Sequence, residues 1–149
     1  MSHHGPRLDY HSLAPKAARA LSQLSYASGG ADKRLKELVN LRVSQINGCA
    51  FCIDMHWRDL IKLDADPRHL NAVAGWREAP FFNDRERAAL NWAEAVTSRS
   101  HHATSDEEFA KLKAQFSDEE IAELGFTIAV INAWNLLNVS FRNPVPEKA

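Results

Sequence analysis

Cys49 and Cys52 are the only thiols in the chain, and two residues separate them in Cys49-Ala50-Phe51-Cys52. If a helix begins there, both sulfurs lie within one turn. They can then close a disulfide or resolve each other's mixed disulfides. A helix N-terminus also favours a thiolate, through its free N–H groups and its dipole. His56 follows Cys52 by four residues and Cys49 by seven, intervals that put the three side chains on one helical face. A histidine in that position accepts a thiol proton or, as a cation, stabilises the thiolate.

Glu37 is the third candidate, on geometric grounds. Glu37, Leu41, Ser44 and Gly48 fall on one line of the preceding helix. At ~1.5 Å per residue Glu37 lies roughly 16 Å before Gly48, and His56 about 10 Å beyond Cys49. A short turn at Asn47-Gly48 folds the next helix back and carries Cys52 and His56 toward Glu37. The axial offset leaves direct contact unassured and suits a bridging water.

Two other readings of the cysteine pair stand beside this one. Free cysteines are often inert core residues. Zinc is the other: His56 would be a third ligand, and only His101-His102, on a distant loop, offers a fourth. Reactive thiols without a metal or a tightly bound cofactor are the preferred reading. Arg42 is expected in a structural ion pair, and Trp134 and Asn135 in packing. His69, His101, His102 and the charged first turns Asp84 to Arg87 and Asp106 to Glu108 are expected at the surface.

The elements that must position these residues all read as helices. One runs from Pro15 to about Tyr26, ended by Ser28-Gly29-Gly30. The next runs from about Asp32 to Ile46, with Leu35, Leu38, Val39, Val43 and Ile46 as its apolar stripe. Gly48 suits a left-handed cap. The cysteine helix runs to about Leu63, and Asp66-Pro67 opens a short one ending near Gly75. Residues 77–82 are a Pro-containing connector. Asn83 with Glu86 starts another helix, and Ser105 with Glu108 and Ser117 with Glu120 read as capping boxes. The last helix spans about Asp118 to Ser140. Its centre is apolar on nearly every face, which suits a core position and a subunit interface together.

The 149 residues fit one all-α domain, with a core over about 13–142 and flexible N-terminal and C-terminal tails. Hydrophobic residues make up 45% and charged residues 25%, enough apolar material to bury a real core. A net charge of −1 gives no footprint for nucleic acid or an anionic membrane. No run is long and apolar enough for a membrane span. The opening residues, including His3-His4, lack the apolar stretch of a secretory signal, so the expected location is the cytoplasm.

The stretch from Glu37 through Cys49-Ala50-Phe51-Cys52 to His56 resembles the core motif of the AhpD-like alkylhydroperoxidase family, within the carboxymuconolactone decarboxylase superfamily. Leu90-Asn91-Trp92-Ala93-Glu94-Ala95-Val96-Thr97 and Ile131-Asn132-Ala133-Trp134-Asn135 also look like its single-domain members. The resemblance implies an AhpD-like helical bundle assembled as a homotrimer or homohexamer, with the redox site near a subunit interface. It implies antioxidant defence, in which a disulfide-cycling peroxidase reduces a hydroperoxide and a lipoamide-type dithiol, free or carried on a donor protein, resets it. By position, Glu37, Cys49, Cys52 and His56 match the family's relay, with Cys52 attacking peroxide and Cys49 resolving. The best-known peroxidases carry a histidine between the cysteines, where this chain has Phe51, which cannot relay a proton. The decarboxylase branch lacks the cysteine pair, so the pair argues against decarboxylation. The alternative functions are a disulfide reductase or adaptor feeding a partner peroxidase, and a redox-sensing oligomer without turnover.

Overall fold

Local capping chemistry starts almost every element of the chain. The computed structural model describes residues 5–148, and the dipeptide His3-His4 lies outside them. Asp9 caps α1 (Tyr10–Leu13), and Pro15 opens α2 (Pro15–Ala27). Asp32 caps α3 (Lys33–Asn47), and Cys49 caps α4 (Ala50–Lys62). Asp66 caps α5 (Pro67–Asn71), which runs into a 3-10 turn (Val73–Gly75). Asn83, Ser105 and Ser117 cap α6 (Asp84–Thr97), α7 (Asp106–Lys113) and α8 (Asp118–Ser140). Among the described residues there is no strand, so the domain is all-α.

The boxes predicted at Asn83-Glu86 and Ser117-Glu120 both close. The one at Ser105-Glu108 closes only halfway. Ser105 accepts from the Glu108 N–H, but the Glu108 carboxylate is taken by Asn91 at 2.8 Å and Lys111 at 2.7 Å. A tertiary partner outcompetes the local one there.

Helix α3 is the axis of the bundle and packs on α4, α6 and α8. Leu35, Val39 and Val43 face a core that holds both cysteines, Ala89, Ala93, Ile128 and Ile131. Leu38 and Leu41 face a second core with Leu60, Leu70, Val73, Trp76 and Leu90. Because α3 is covered on several sides, its buried surface is wider than the stripe read from sequence. Leu41, Asn40 and Ser44 are buried too, whereas Ile46, in the last turn, is 41% exposed.

Buried polar groups on α3 and α8 meet in a seam. Ser44 Oγ donates to the Asn40 carbonyl at 2.7 Å, Asn135 Nδ2 donates to Ser44 Oγ at 3.1 Å, and Asn47 Nδ2 donates to Asn135 Oδ1 at 3.0 Å. Satisfied in this way, they fix the register of α8 against α3 without the penalty of unpaired buried groups.

The ends are tied down further than the sequence suggests. Helix α1 lies before the expected start of the core, and Tyr10 is only 8% exposed. The Arg7 N–H donates to the Phe141 carbonyl at 2.9 Å, and the Asn143 N–H to the Asn138 carbonyl at 2.9 Å. The reason is non-local: α1 finds its partner at the far end of the chain, and nothing in the first residues announces it. No helix among the described residues is long and apolar enough to cross a membrane.

Candidate redox site

The turn between α3 and α4 builds the site. Gly48 adopts φ 67°, a left-handed conformation that favours glycine, and its N–H bonds back to the last turn of α3. Cys49 follows in extended conformation as N-cap of α4, and its Sγ accepts the Cys52 N–H at 3.3 Å. The cysteines are joined as a disulfide with Cα atoms 5.3 Å apart. Both sulfurs are shielded, at 1% exposure for Cys49 and 0% for Cys52.

His56 lies on the same face of α4 and is buried. Its Nδ1 meets Glu37 Oε2 directly, at 2.6 Å. The offset counted from helical rise leaves room for a water, but that count omits the reach of the two side chains, which close the gap. His56 Nε2 is buried without a hydrogen-bond partner. The imidazole is therefore held at one nitrogen by a carboxylate and keeps the other for exchange.

Above this pair is a cavity of about 350 Å³. Glu37, His56 and Asn138 supply polar lining, and Phe51, Met55, Val130, Ile131 and Trp134 supply apolar walls. Tyr10 and His11 of α1 and Ser25 and Tyr26 of α2 also border it, as do the polar side chains of Ser28, Lys36, Asn40, Asp59 and Thr127. Trp134 is fixed by its indole N–H, which donates to Ser25 Oγ at 2.8 Å. The cysteines do not line the cavity, but their neighbours Phe51, His56 and Asn138 do.

Asp59, one turn beyond His56, brings a carboxylate close by. Glu37, His56 and Asp59 each offer one ligand atom within 4.8 Å of the others. Asp59 is also paired with Lys62 at 2.9 Å, and Glu37 with His56. The zinc set weighed from sequence differs, since it combined the cysteines with His56 and His101-His102. The cysteines are bonded to each other, and His101 and His102 are exposed.

Several sequence expectations about neighbouring residues resolve here. Arg42 is ion-paired, with Glu94 at 2.9 Å. His69 is half-buried and stacked on Phe81, with ring centroids 4.2 Å apart. Glu86 is buried rather than exposed, because Arg34 reaches it at 2.7 Å and its other oxygen closes the α6 cap. Asn138 was missed. Its Nδ2 lies 3.5 Å from Cys52 Sγ, and its Oδ1 accepts the Tyr10 hydroxyl at 2.8 Å. The signal was present as Asn132, Asn135 and Asn138 at three-residue spacing in the largely apolar second half of α8. Tyr10 carried no such signal.

Residues 13–95 match the carboxymuconolactone decarboxylase family. The chain belongs to that family. Within it the chain is AhpD-like: it is similar to a solved protein of unknown function from Agrobacterium tumefaciens described as an antioxidant defence protein AhpD. That similarity is 37% identity and a TM-score of 0.91, over 97% of this chain and 100% of the other. The uncharacterized protein YdfG of Bacillus subtilis is 29% identical, over 95% of this chain and 98% of its own length. The debrominase Bmp8 shares the fold, with 24% identity and a TM-score of 0.79 over 91% of this chain and 74% of the other. The AhpD-like fold thus serves more than one chemistry, and the side chains of the site must decide among them. Here the paired cysteines fit a redox role.

Proposed function

We propose that the protein is a thiol-dependent hydroperoxidase in which Cys49 and Cys52 cycle between dithiol and disulfide. The observation that carries this reading is the direct 2.6 Å contact of Glu37 with His56, behind a disulfide-bonded pair at the start of α4. In the reduced protein His56 Nε2 takes the Cys52 proton. The thiolate attacks a peroxide oxygen, the S–O bond forms, the O–O bond breaks, and the leaving alkoxide takes the proton back from His56. Cys52 is then a sulfenic acid. Cys49 sulfur displaces its hydroxyl, which leaves as water, and the disulfide forms. An external dithiol of lipoamide type reduces the disulfide by exchange and is itself oxidised to a cyclic disulfide. No bound cofactor enters these steps, and a reducing compartment such as the cytoplasm would sustain them.

The order of attack follows the family resemblance, and the structure gives each sulfur a different donor. Cys49 receives a backbone N–H and Cys52 a side-chain amide. Phe51, where a relaying histidine would stand, is half-buried against the core and lines the cavity. The apolar walls favour an organic hydroperoxide over hydrogen peroxide. Burial of both sulfurs favours small reactants over direct exchange with a bulky protein thiol.

Peroxide consumption with dihydrolipoamide as reductant tests the reading. The wild type is expected to turn over, Cys52→Ser to be inactive, and Cys49→Ser to react once and stop at the sulfenic acid. Equal rates for wild type and Cys52→Ser would sink the mechanism. Turnover that appears only with an added peroxidase would assign the adaptor role instead. A single slow oxidation with a change of oligomer mass would assign the sensor.

A further inference from the structure

The proposed reaction gives roles to the Glu37–His56 pair and the disulfide, but none to the buried polar chain that runs from the cavity wall to Cys52. Asn138 is 5% exposed and Tyr10 8% exposed, and both border the cavity. A buried amide of this kind is costly unless every hydrogen bond has a purpose. The Asn138 Oδ1 atom accepts two, from the Tyr10 hydroxyl at 2.8 Å and from Asn143 Nδ2 at 2.9 Å. Its Nδ2 is turned to Cys52 Sγ at 3.5 Å.

The orientation of the amide follows from chemistry as well as from distance. A disulfide sulfur has no proton to give, so it can face only a donor. The amide must therefore present its NH2 to Cys52 and its oxygen to Tyr10 and Asn143. When the disulfide is reduced, the same NH2 faces whatever charge Cys52 carries. A donor held in place before the charge develops costs little reorganisation and is strongest in a buried setting.

We propose that Asn138 stabilises the Cys52 thiolate, with Tyr10 as the positioning residue that locks the amide in its donor orientation. The inference rests on reading Cys52 as a reacting thiol. It adds a second source of thiolate stabilisation beside His56, from a different helix. Burial pushes the Tyr10 phenol above its ordinary value, against the pull of the Asn138 bond. The hydroxyl therefore remains a donor across the range in which thiols titrate. The ionisable groups that border the cavity beside Asn138 are His56 and Asp59 on α4, Glu37 and Lys36 on α3, Tyr10 and His11 on α1 and Tyr26 on α2, and Cys49 is bonded to Cys52 itself. Helix α8 carries none after Glu123. The Asn138 contribution is thus that of a fixed dipole and does not itself titrate.

The test is the pH dependence of iodoacetamide alkylation of the reduced protein, with Cys49 and Cys52 resolved by mass spectrometry. Asn138→Leu removes the donor while keeping the volume. It is expected to slow Cys52 alkylation at neutral pH by about tenfold, the equivalent of a one-unit rise in thiol pKa. Tyr10→Phe is expected to shift Cys52 in the same direction by a smaller factor, and Cys49 should hold its profile in both. Tyr10→Phe removes a single oxygen, so it decides the question if the leucine variant fails to fold. Folded variants with an unchanged Cys52 profile would overturn the proposal, as would equal shifts at both thiols. Peroxide turnover is measured separately: a normal Cys52 shift without turnover would remove the peroxidase reading and leave this one standing.

Discussion

Glu37 and His56 form the contact on which the proposed chemistry depends, and its worth can be measured by changing one atom. Glu37→Gln keeps the length and the reach to His56 but removes the negative charge that supports an imidazolium. General acid–base assistance is typically worth about 10²–10⁴-fold, and a residue acting through the base accounts for part of it. Glu37→Gln is expected to lower kcat/KM for peroxide by about 10- to 100-fold on that scale, with the unfolding midpoint little changed. An unaltered rate would remove Glu37 from the relay. Elemental analysis bears on the same group of side chains. The redox reading expects no stoichiometric metal on Glu37, His56 and Asp59. Zinc that copurifies at one per chain and survives chelation would replace it.

Single positions also control how the helices are joined. Gly29 has φ 100°, and a Cβ built there would lie 2.5 Å from Lys36 Cδ. The Lys36 ammonium bridges the carbonyls of Ser25 and Ser28, so the side chain has little freedom to retreat. The Gly29 N–H also donates to Glu123 on α8 at 2.9 Å. Gly29→Ala is expected to cost about 1–2 kcal/mol from the left-handed backbone alone, read as a lower urea midpoint. Glu94 on α6 is the second junction: one carboxylate receives Arg42 of α3, Arg77 and the Trp76 indole. Burial opposes its ionisation, but these donors outweigh it and hold the carboxyl below its usual range. A depressed carboxylate contributes stability that is present above the unfolded-state value and lost as pH falls through the lower folded one. Urea midpoints are therefore expected to decline below about pH 4.3, the ordinary glutamate value. Glu94→Gln should lower stability at neutral pH and flatten that part of the decline.

Across the whole molecule, α8 has two characters. Ile128, Ile131 and Asn135 are buried, whereas Phe126 at 55%, Leu136 at 60% and Val139 at 47% are exposed. Its near-uniform apolarity is thus only half accounted for by contacts within the chain. Assembly as a trimer or hexamer, the expectation drawn from the family resemblance, would cover these exposed apolar side chains. Light scattering is expected to give three or six times the subunit mass, and Leu136→Glu to shift the population toward monomer. A wild type that stays monomeric at assay concentrations would overturn this expectation. Because α8 also carries Asn138 and Trp134, dissociation is expected to lower turnover along with mass.

Much of the site was legible in the residues themselves. The caps at Asn83 and Ser117, the left-handed Gly48 and the shared face of Cys52 and His56 depend on neighbours within a few positions. Helical geometry dictates such relations whatever surrounds them. Glu37 was found on the same basis, because a short turn constrains two adjacent helices, though contact without a water depended on how far the two side chains reach. The half-closed box at Ser105 and the buried Glu86 were misjudged, since partners from other elements claimed their carboxylates. The cavity, the cover over both sulfurs and the link from Tyr10 to Asn138 and on to Cys52 belong to tertiary structure alone. These bonds join residues 128 and 86 positions apart, where helix packing decides which side chains meet. The sequence by itself determined that two thiols and a histidine share one face; only the fold decided what stands behind the sulfur.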